Sequence, residues 1–566
     1  MEFCRERVVP YWRGVLVVLI PLVLLPLPIL FPTQEAKCGF VVLLMALYWM
    51  TEAIPLAITS LLPVIFFPLF GIMSTGAVCI AYMKETNVVF IGGMMVAIAI
   101  EHCNLHKRLA LSVLLVVGTS PRWLMLGFMG TTMFLSMWIC NTAATAMMLP
   151  IVEAVVDELY SDDKVENELY SSQSKIDSIS GSIASSQEAI IERKRPTKNL
   201  SKDKVLRACL LSIAYSANVG GTGTIIGSSP QLAFKGILAT LYPNQDTLNF
   251  ATWMAFNVPV MLVNLVILWL WVQILYIGFK CDNVDRKAQA KAQKAIRKSY
   301  DDLGSMSFHE SMVLVLFLLL VILWCFRDPQ FMPGWAEPWR NSGIRIGDGT
   351  AAIIVVALLF VVPAEPYFLF CRRESSDKHT GAALLTWKAC QERIPWGIVL
   401  LLGGGFALSD ATKVSGLSEF LGSQLEGLKV LPDFAILFLV CIMVATVTEI
   451  ASNTATANIL LPVLARVCEL IKVNPLYLMM PATVTCSYAF MLPVATPPNA
   501  IVFSAGKMKV TEMIRAGFLM NICCVVVLCL LTETLGVAIF DIKTFPEWAT
   551  NLEQAIIFRN ESELNG

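Results

Sequence analysis

The feature that most constrains this chain is a polar motif that occurs twice inside hydrophobic segments. The sequence CNTAATAMMLP at 140–150 returns as SNTATANILLP at 452–462, an offset of 312 residues. The same offset carries the glycine pair at 92–93 onto the pair at 404–405. Small amide and hydroxyl side chains at membrane depth are costly unless they have a partner. Their repetition at matching places indicates a chain built from duplicated halves around a central polar site.

The composition is typical of a protein that lies in a membrane. Of its 566 residues, 56% are hydrophobic and only 15% are charged, and the mean hydropathy is +0.67. A soluble chain of this length cannot cover so much apolar surface, so the sequence predicts an all-α polytopic membrane protein in a lipid bilayer. A net charge of −1 without a basic domain predicts no nucleic-acid partner. Because the apolar runs contain no nucleophile–base pair or set of metal ligands, we expect neither an enzyme nor a cofactor.

Two apolar runs are too long for a single membrane span. The runs 123–156 and 434–470 hold the repeated motifs near their midpoints, and one helix of that length would overshoot the bilayer. Each run is therefore predicted to be a helical hairpin that enters and leaves on one side of the membrane, with the polar motif at its tip. Non-helical backbone is tolerated there only where protein or water surrounds it.

An apolar run with helix-breaking residues follows each hairpin. GGTGTIIGSSPQ interrupts the run 205–238, and LPVATPPN interrupts the run 476–504. Glycine and proline break the hydrogen-bond ladder, so the freed carbonyls favour a cation and the new helix N-termini favour an anion. The sequence thus predicts one hairpin and one broken helix in each half, with four polar loops that converge near the middle of the membrane.

Charge and run length predict the organisation of the chain. Arg5, Arg7 and Arg13 before the first apolar run predict a cytosolic N-terminus, and counting spans from there puts the basic stretch 279–298 in the cytosol and the C-terminus outside. A glycosylation sequon at Asn560 agrees with that orientation, and the sequon at Asn199 is expected to be silent. We expect about eleven transmembrane helices plus two re-entrant helical hairpins in inverted repeats.

The predicted segments follow the repeat. They are spans of the first repeat with an interfacial arm (1–118), a re-entrant hairpin open to the cytosol (119–157), a disordered cytosolic loop (158–204), a broken helix and the following span (205–279), a basic cytosolic loop (280–306), spans of the second repeat (307–430), a re-entrant hairpin open to the outside (431–471), a broken helix and the last span (472–541) and an extracellular C-terminal tail (542–566).

The four polar loops are rich in amides, hydroxyls and backbone groups but contain no lysine or arginine. Asn141, Thr142, Asn453 and Thr454 can donate to carboxylate oxygens while carbonyl groups face a cation. An anion bound there needs another source of positive charge, which sodium ions and helix N-termini supply. If more positive than negative charge crosses, the membrane potential drives uptake by about 2.3 kcal/mol per net charge per 100 mV.

Structural alternatives exist for three of these features. Small-residue motifs in membrane helices often only allow close packing, although two motifs at one offset, each followed by a broken helix, favour a binding site. The glycines at 403–405 lack a following Lys-Ser/Thr pair, which favours packing or a hinge over a phosphate loop. Glu449 lies three residues before the second motif and is either a buried structural acid or a residue that tunes a cation site.

At these residues the chain resembles the divalent anion:sodium symporter family (solute carrier family 13), and within it the INDY-type di- and tricarboxylate carriers of animals. The resemblance covers nearly the whole chain. It is carried by the sequences EHCNLHKRLAL, LSMWICNTAATAMMLPIVEAV, GGTGTIIG, PWGIVLLLGGGFAL, SNTATANILLPV and FMLPVATPPNAIVFSAG. The resemblance implies a plasma-membrane homodimer with a fixed scaffold and a transport domain that carries both hairpins and moves as an elevator. It also implies secondary active transport of succinate, citrate and similar Krebs-cycle intermediates, coupled to sodium.

Carried over by position, the resemblance implies three sets of site residues. The first cation site would use Ser136, Cys140, Asn141, Gly221 and Gly223. The second cation site would use Thr448, Ala451, Asn453 and Ala495. The substrate carboxylates would meet Asn141, Thr142, Asn453, Thr454, Thr496 and Pro497.

The chain departs from the family pattern in its first half. Cys140 replaces the usual serine, and a thiol is a poor sodium ligand compared with a hydroxyl. The first broken helix has GSSPQ at 227–231, where the family usually has Gly-Thr-x-x-Asn. A sodium-independent carboxylate exchanger and a sodium-coupled sulfate transporter therefore remain alternatives, and Thr454 favours carboxylate over sulfate. An anion channel belongs to a different class, but nothing in the sequence resembles a continuous pore.

Overall fold

The regular structure of this chain is helical. The computed structural model describes residues 12–118, 120–160, 202–278, 286–329, 332–365, 382–417, 420 and 431–549. Within these ranges the only extended pairing is an isolated bridge between Pro363 and Ala383, so the predicted all-α class is confirmed. The sequons at Asn199 and Asn560 lie outside the described residues.

Several helices have the length and composition of membrane spans. In the ranges above, seven stretches are long and apolar enough to cross a membrane: Trp12–Leu30, Thr75–His102, Phe250–Ile277, Phe308–Cys325, Trp396–Val414, Asn453–Ile471 and Val510–Phe540. The shorter apolar helices are Leu56–Leu69, Asp348–Val361 and Asp433–Thr448. The apolar window in Trp12–Leu30 is only 6% buried, which leaves its surface available to lipid.

The helices before the first motif are short pieces separated by prolines and caps. They are Trp12–Leu24, Pro26–Leu30, Gln34–Thr51, Leu56–Thr59, Leu62–Leu69, Thr75–Ile80, Glu85–His102 and Leu105–Val117. Proline is tolerated in the first turn of a helix because its missing N–H has no partner there, which explains the start at Pro26. Thr33 caps the N-terminus of the next helix, since its Oγ1 accepts from the Ala36 N–H at 3.3 Å.

The first motif lies at the turn of a helical hairpin. The first hairpin consists of Pro121–Ser136 and Asn141–Leu159, and the first broken helix consists of Lys202–Gly220 and Ser229–Leu241. The helix Phe250–Val272 follows and continues as a π-helical turn to Ile277.

The second half repeats this order. The second hairpin consists of Asp433–Thr448 and Asn453–Ile471, and the second broken helix consists of Pro475–Thr485 and Pro497–Ala505. The helix Val510–Leu531 follows and continues through a π-helical turn to Val537–Phe540. Asn141 and Asn453 each open the second helix of a hairpin, and both helices contain a proline at the same position of the repeat.

The helices between the halves include one that the sequence does not predict. They are Arg286–Asp301, Phe308–Cys325, Glu337–Asn341, Asp348–Val361, Trp387–Arg393 and Trp396–Val414. The segment 280–306 is predicted as a basic loop, yet Arg286–Asp301 is a helix of good helix formers without glycine or proline. Its Ala292 and Ile296 are buried where it packs against Leu105–Val117 and Asn141–Leu159.

The repeated glycines bring helices close together. A Cβ on Gly92 would lie 2.7 Å from Ala352 Cβ, and one on Gly405 would lie 2.2 Å from Asn458 Cγ. Because these distances are far shorter than real Cβ contacts, the glycines are needed for packing. The Gly405 contact joins the helix Trp396–Val414 to the second hairpin.

Candidate functional site

Three oxygen atoms meet at the tip of the first hairpin. The Ser136 Oγ lies 2.6 Å from the Asn141 Oδ1 and 2.7 Å from the Ala217 carbonyl oxygen. Ser136 ends the first helix of the hairpin, Asn141 begins the second, and Ala217 belongs to the first broken helix. The tip is therefore held against the last turn of the first segment of the broken helix, next to the break.

The tip of the second hairpin has the same arrangement. The Thr448 Oγ1 lies 2.8 Å from the Asn453 Oδ1 and 2.7 Å from the Cys486 carbonyl oxygen. Thr448 ends the first helix of this hairpin, and Cys486 follows the first segment of the second broken helix. A hydroxyl, an asparagine oxygen and a broken-helix carbonyl thus form an oxygen triad in each half.

Each triad has more acceptors than donors. A hydroxyl carries one hydrogen, so Ser136 and Thr448 can each donate to only one of the two acceptors they contact. The remaining acceptor faces an oxygen lone pair at hydrogen-bond distance, an arrangement that a cation between the oxygens stabilises. Hard cations in proteins take oxygen ligands of these types. The two triads therefore have the chemistry of cation sites.

The glycine-rich loop 221–228 closes over the first triad. A Cβ on Gly221 would lie 2.4 Å from the Asn141 Oδ1, so only a glycine at this position leaves room for the oxygen. The Thr224 Oγ1 donates to the Met137 carbonyl at 2.5 Å and accepts from the Gly227 N–H at 3.0 Å. These contacts join the loop to the hairpin tip.

Glu449 organises the corresponding loop of the second half. Its carboxylate accepts from the N–H groups of Phe490 at 2.8 Å, Met491 at 2.9 Å and Leu492 at 3.1 Å. It also accepts from the Asn521 Nδ2 at 2.7 Å, and it is 2% exposed. Four donors meet the charge of this buried carboxylate, which favours the structural interpretation of Glu449 over a role in tuning a cation site.

Polar bonds link the two broken helices to each other. The Asn218 Nδ2 donates to the Thr496 Oγ1 at 3.2 Å and lies 3.4 Å from the Asn499 Oδ1. In the opposite direction, the Ser487 Oγ lies 3.3 Å from both the Gln231 Nε2 and the Ser228 Oγ. We call these reciprocal contacts the cross-brace. They join the loops of the two halves, so the structure brings the four predicted loops into one connected network.

Six of the thirteen predicted site residues lie in this network. The structure brings Ser136, Asn141 and Gly221 together at the first triad, and Thr448 and Asn453 at the second. Thr496 caps the helix Pro497–Ala505, in which Pro497 is exposed and comes first. Among the others, Thr142 and Cys140 are half-buried and Thr454 and Ala451 are buried at the hairpin tips, while Gly223 and Ala495 are buried in the loops of the broken helices.

Sequence reasoning missed four members of the network. The Ala217 and Cys486 carbonyls are backbone atoms, and no side-chain pattern marks them. Asn218 and Ser487 are single polar residues in apolar runs, just outside the loops that their glycines and prolines identify. A search for polar residues next to each helix break would have found both.

Two hairpins and two broken helices, repeated in the same order around oxygen-rich tips, define a membrane transporter built from internal repeats. The chain belongs to the sodium:sulfate symporter family, whose transmembrane-region model matches residues 9–542. It is 43% identical over 566 residues to the Na(+)/citrate cotransporter of Rattus norvegicus, covering 97% of this chain and 99% of that protein. It is 41% identical to the Na(+)/dicarboxylate cotransporter 3 of the same organism, covering 95% of this chain and 94% of that protein.

A solved structure supports the fold. Neisseria gonorrhoeae MtrF, from a class described as antimetabolite efflux pumps, superposes with a TM-score of 0.51 over 91% of this chain and 98% of that chain. The sequence identity is 12%, so this likeness concerns the fold alone.

Proposed function

We propose that this protein is a secondary active transporter that couples sodium to the uptake of di- and tricarboxylates such as succinate and citrate. The observation that carries the proposal is the pair of equivalent oxygen triads at the hairpin tips. The names of the similar cotransporters support the same substrate class and the same coupling ion. The location is proposed to be the plasma membrane, with the N-terminus in the cytosol and the C-terminus outside.

One sodium ion would bind at each tip. In the first half it would take oxygens from Ser136, Asn141 and the Ala217 carbonyl, beside Cys140 and the backbone of the glycine loop. In the second half the ligands would be Thr448, Asn453 and the Cys486 carbonyl, beside the backbone of Ala451 and Ala495.

The carboxylate substrate would bind between the two cations. The Oδ1 atoms of Asn141 and Asn453 are engaged within the triads, which leaves each Nδ2 group as a donor for an anion. The hydroxyls of Thr142, Thr454 and Thr496 and the helix start at Pro497 would complete the site. Because the loops contain no lysine or arginine, the anion would depend on the bound sodium for its countercharge.

Movement of the hairpins and broken helices as one unit would carry the site across the membrane. Both halves of this unit are joined by the cross-brace, which supports a single rigid transport domain. The helix Trp396–Val414 packs closely on this unit, with Gly405 against Asn458 and a hydrogen bond of 3.0 Å from the Asn458 Nδ2 to the Leu401 carbonyl. We propose an elevator mechanism on a scaffold formed by the remaining spans, in a homodimer.

Uptake into proteoliposomes tests the coupling. We expect labelled citrate or succinate to accumulate with external sodium and to stop accumulating when choline replaces sodium. Uptake that does not depend on sodium and that rises with internal substrate would instead indicate a carboxylate exchanger. Cys140 favours that alternative, because a thiol is a poor sodium ligand. Sulfate that accumulates while carboxylates do not would contradict the proposed substrate class.

The site is tested by Asn453→Ala, with Thr456→Val as the matched control. Thr456 lies three residues further along the same helix, and its buried hydroxyl has no hydrogen-bond partner within the described residues. We expect Asn453→Ala to abolish uptake while the protein stays at the cell surface, and Thr456→Val to transport normally. Full activity of Asn453→Ala would contradict the site.

A further inference from the structure

The cross-brace is reciprocal. Asn218 of the first half contacts Thr496 and Asn499 of the second half, and Ser487 of the second half contacts Ser228 and Gln231 of the first. Gln231 and Asn499 occupy the third position of their helices, Ser229–Leu241 and Pro497–Ala505. Each half thus reaches over to the start of the other half's second helix segment.

Asn218 and Ser487 each directly follow a residue whose carbonyl group belongs to an oxygen triad. Ala217, whose carbonyl oxygen lies 2.7 Å from the Ser136 Oγ, precedes Asn218. Cys486, whose carbonyl oxygen lies 2.7 Å from the Thr448 Oγ1, precedes Ser487. Since one peptide unit joins the two groups, a carbonyl that turns toward a cation also moves the brace residue beside it.

The cross-brace is buried, so breaking its hydrogen bonds has a large cost in free energy. Asn218, Ser487 and Gln231 are at most 1% exposed, and Asn499 is fully buried. Breaking a hydrogen bond in such a place leaves a polar group unsatisfied, which is more costly than losing the same bond in water. The loops of the two broken helices are therefore more stable when they adopt one arrangement together than when each changes conformation independently of the other.

We propose that Asn218 and Ser487 are positioning residues that couple the two cation sites, so that sodium at one triad raises the affinity of the other triad for sodium. This inference rests on the proposed function, because it assumes that both triads bind sodium. The coupling is reciprocal by thermodynamic linkage. The factor by which the first ion raises the affinity for the second equals the factor by which the second raises the affinity for the first. An anion site that needs both ions would then form over a narrow range of sodium concentration.

Sodium titration of the full-length protein tests the coupling with two readouts. One is uptake of labelled citrate into proteoliposomes, and the other is the melting temperature of purified protein in detergent with potassium replaced by sodium, since an ion that binds the folded state raises that temperature. The variants are Asn218→Ala and Ser487→Ala. Ser216→Ala is the matched control, because Ser216 lies on the same helix as Asn218 and its buried hydroxyl has no partner among the described residues.

For the wild type and for Ser216→Ala we expect a sigmoidal dependence on sodium with a Hill coefficient above about 1.5, given two coupled sites. For Asn218→Ala and Ser487→Ala we expect a coefficient clearly below that of the wild type and at least a ~5-fold rise in the half-saturating sodium concentration. Uptake by Ser487→Ala at saturating sodium should change little, because the Ser487 side chain contacts Ser228 and Gln231 and no residue proposed to bind sodium or the carboxylate. Ser487→Thr keeps the hydroxyl and should keep the wild-type coefficient.

The outcomes separate this inference from the proposed function. Wild-type uptake that does not respond to sodium would overturn both. Sodium-dependent uptake in which the wild type has a coefficient of 1, or in which Asn218→Ala and Ser487→Ala keep the wild-type coefficient, would overturn the coupling alone. If Asn218→Ala does not fold, Ser487→Ala and Ser487→Thr decide the question, since only the threonine keeps the hydroxyl.

Discussion

Lys235 forms a salt bridge with Asp348, and this contact joins the first broken helix to the start of the helix Asp348–Val361. The Arg327 Nε also contacts the carboxylate, 2.6 Å from the Oδ1. Asp348 is 1% exposed, so two cations neutralise a buried acid where the proposed transport domain meets the proposed scaffold. Because removing one partner of a buried ion pair leaves the other uncompensated, the three residues should respond unequally to substitution.

Asp348→Asn is expected to destabilise the protein more than Lys235→Met. The first change removes the acceptor of two cations and should cost about 3 kcal/mol. The second leaves Asp348 paired with Arg327, so the loss should be smaller. Melting temperatures of the purified variants in detergent test the order. A larger decrease for Lys235→Met would show that Arg327 does not compensate.

Gly221→Ala is expected to disable the first cation site. The added Cβ would lie 2.4 Å from the Asn141 Oδ1 and displace this oxygen. If the displaced ligand contributes about 1.4 kcal/mol, uptake at low sodium should fall by about 10-fold. Gly130→Ala is the matched control on the first hairpin, since a Cβ there meets nothing within 4 Å. Equal uptake by the two variants would contradict the assignment of this loop to the site.

Much of the site is predictable from the sequence because it depends on side chains and helix breakers. The repeated Asn-Thr pairs and the glycine and proline interruptions correspond to the hairpin turns and the gaps in the broken helices. These signals lie within short stretches of the sequence. Polar residues are costly at membrane depth and therefore rare there, so they stand out in apolar runs.

Other parts are not predictable because they are backbone atoms or contacts between distant segments. The carbonyls of Ala217 and Cys486 carry no residue signature. Arg108 is buried against Glu310 at 3.1 Å, although the two are 202 residues apart in sequence. Such a pair depends on how the helices pack, which a single sequence does not specify.

Thr448→Ala and Thr448→Ser should differ in their dependence on sodium. Alanine removes a ligand oxygen from the second triad, so the half-saturating sodium concentration for uptake should rise by about 10-fold, equivalent to 1.4 kcal/mol. Serine keeps the oxygen and should remain within about 2-fold of the wild type. Ser136→Ala should reproduce the alanine result in the first triad. A Thr448→Ala protein that melts earlier but keeps its sodium dependence would show that the hydroxyl is only structural.

Glu449→Gln is expected to destabilise the second half of the site without altering its ligands. The carboxylate accepts from three consecutive N–H groups and from Asn521, whereas a glutamine would turn an NH₂ group toward some of these donors. Loss of the charge-assisted bonds in a buried place should cost about 3 kcal/mol and lower the melting temperature. Glu52→Gln is the control, because Glu52 is exposed and its change should stay within about 0.5 kcal/mol. If Glu449→Gln melts like the wild type but needs much more sodium for uptake, the acid tunes the cation site instead, since a structural acid would affect stability first.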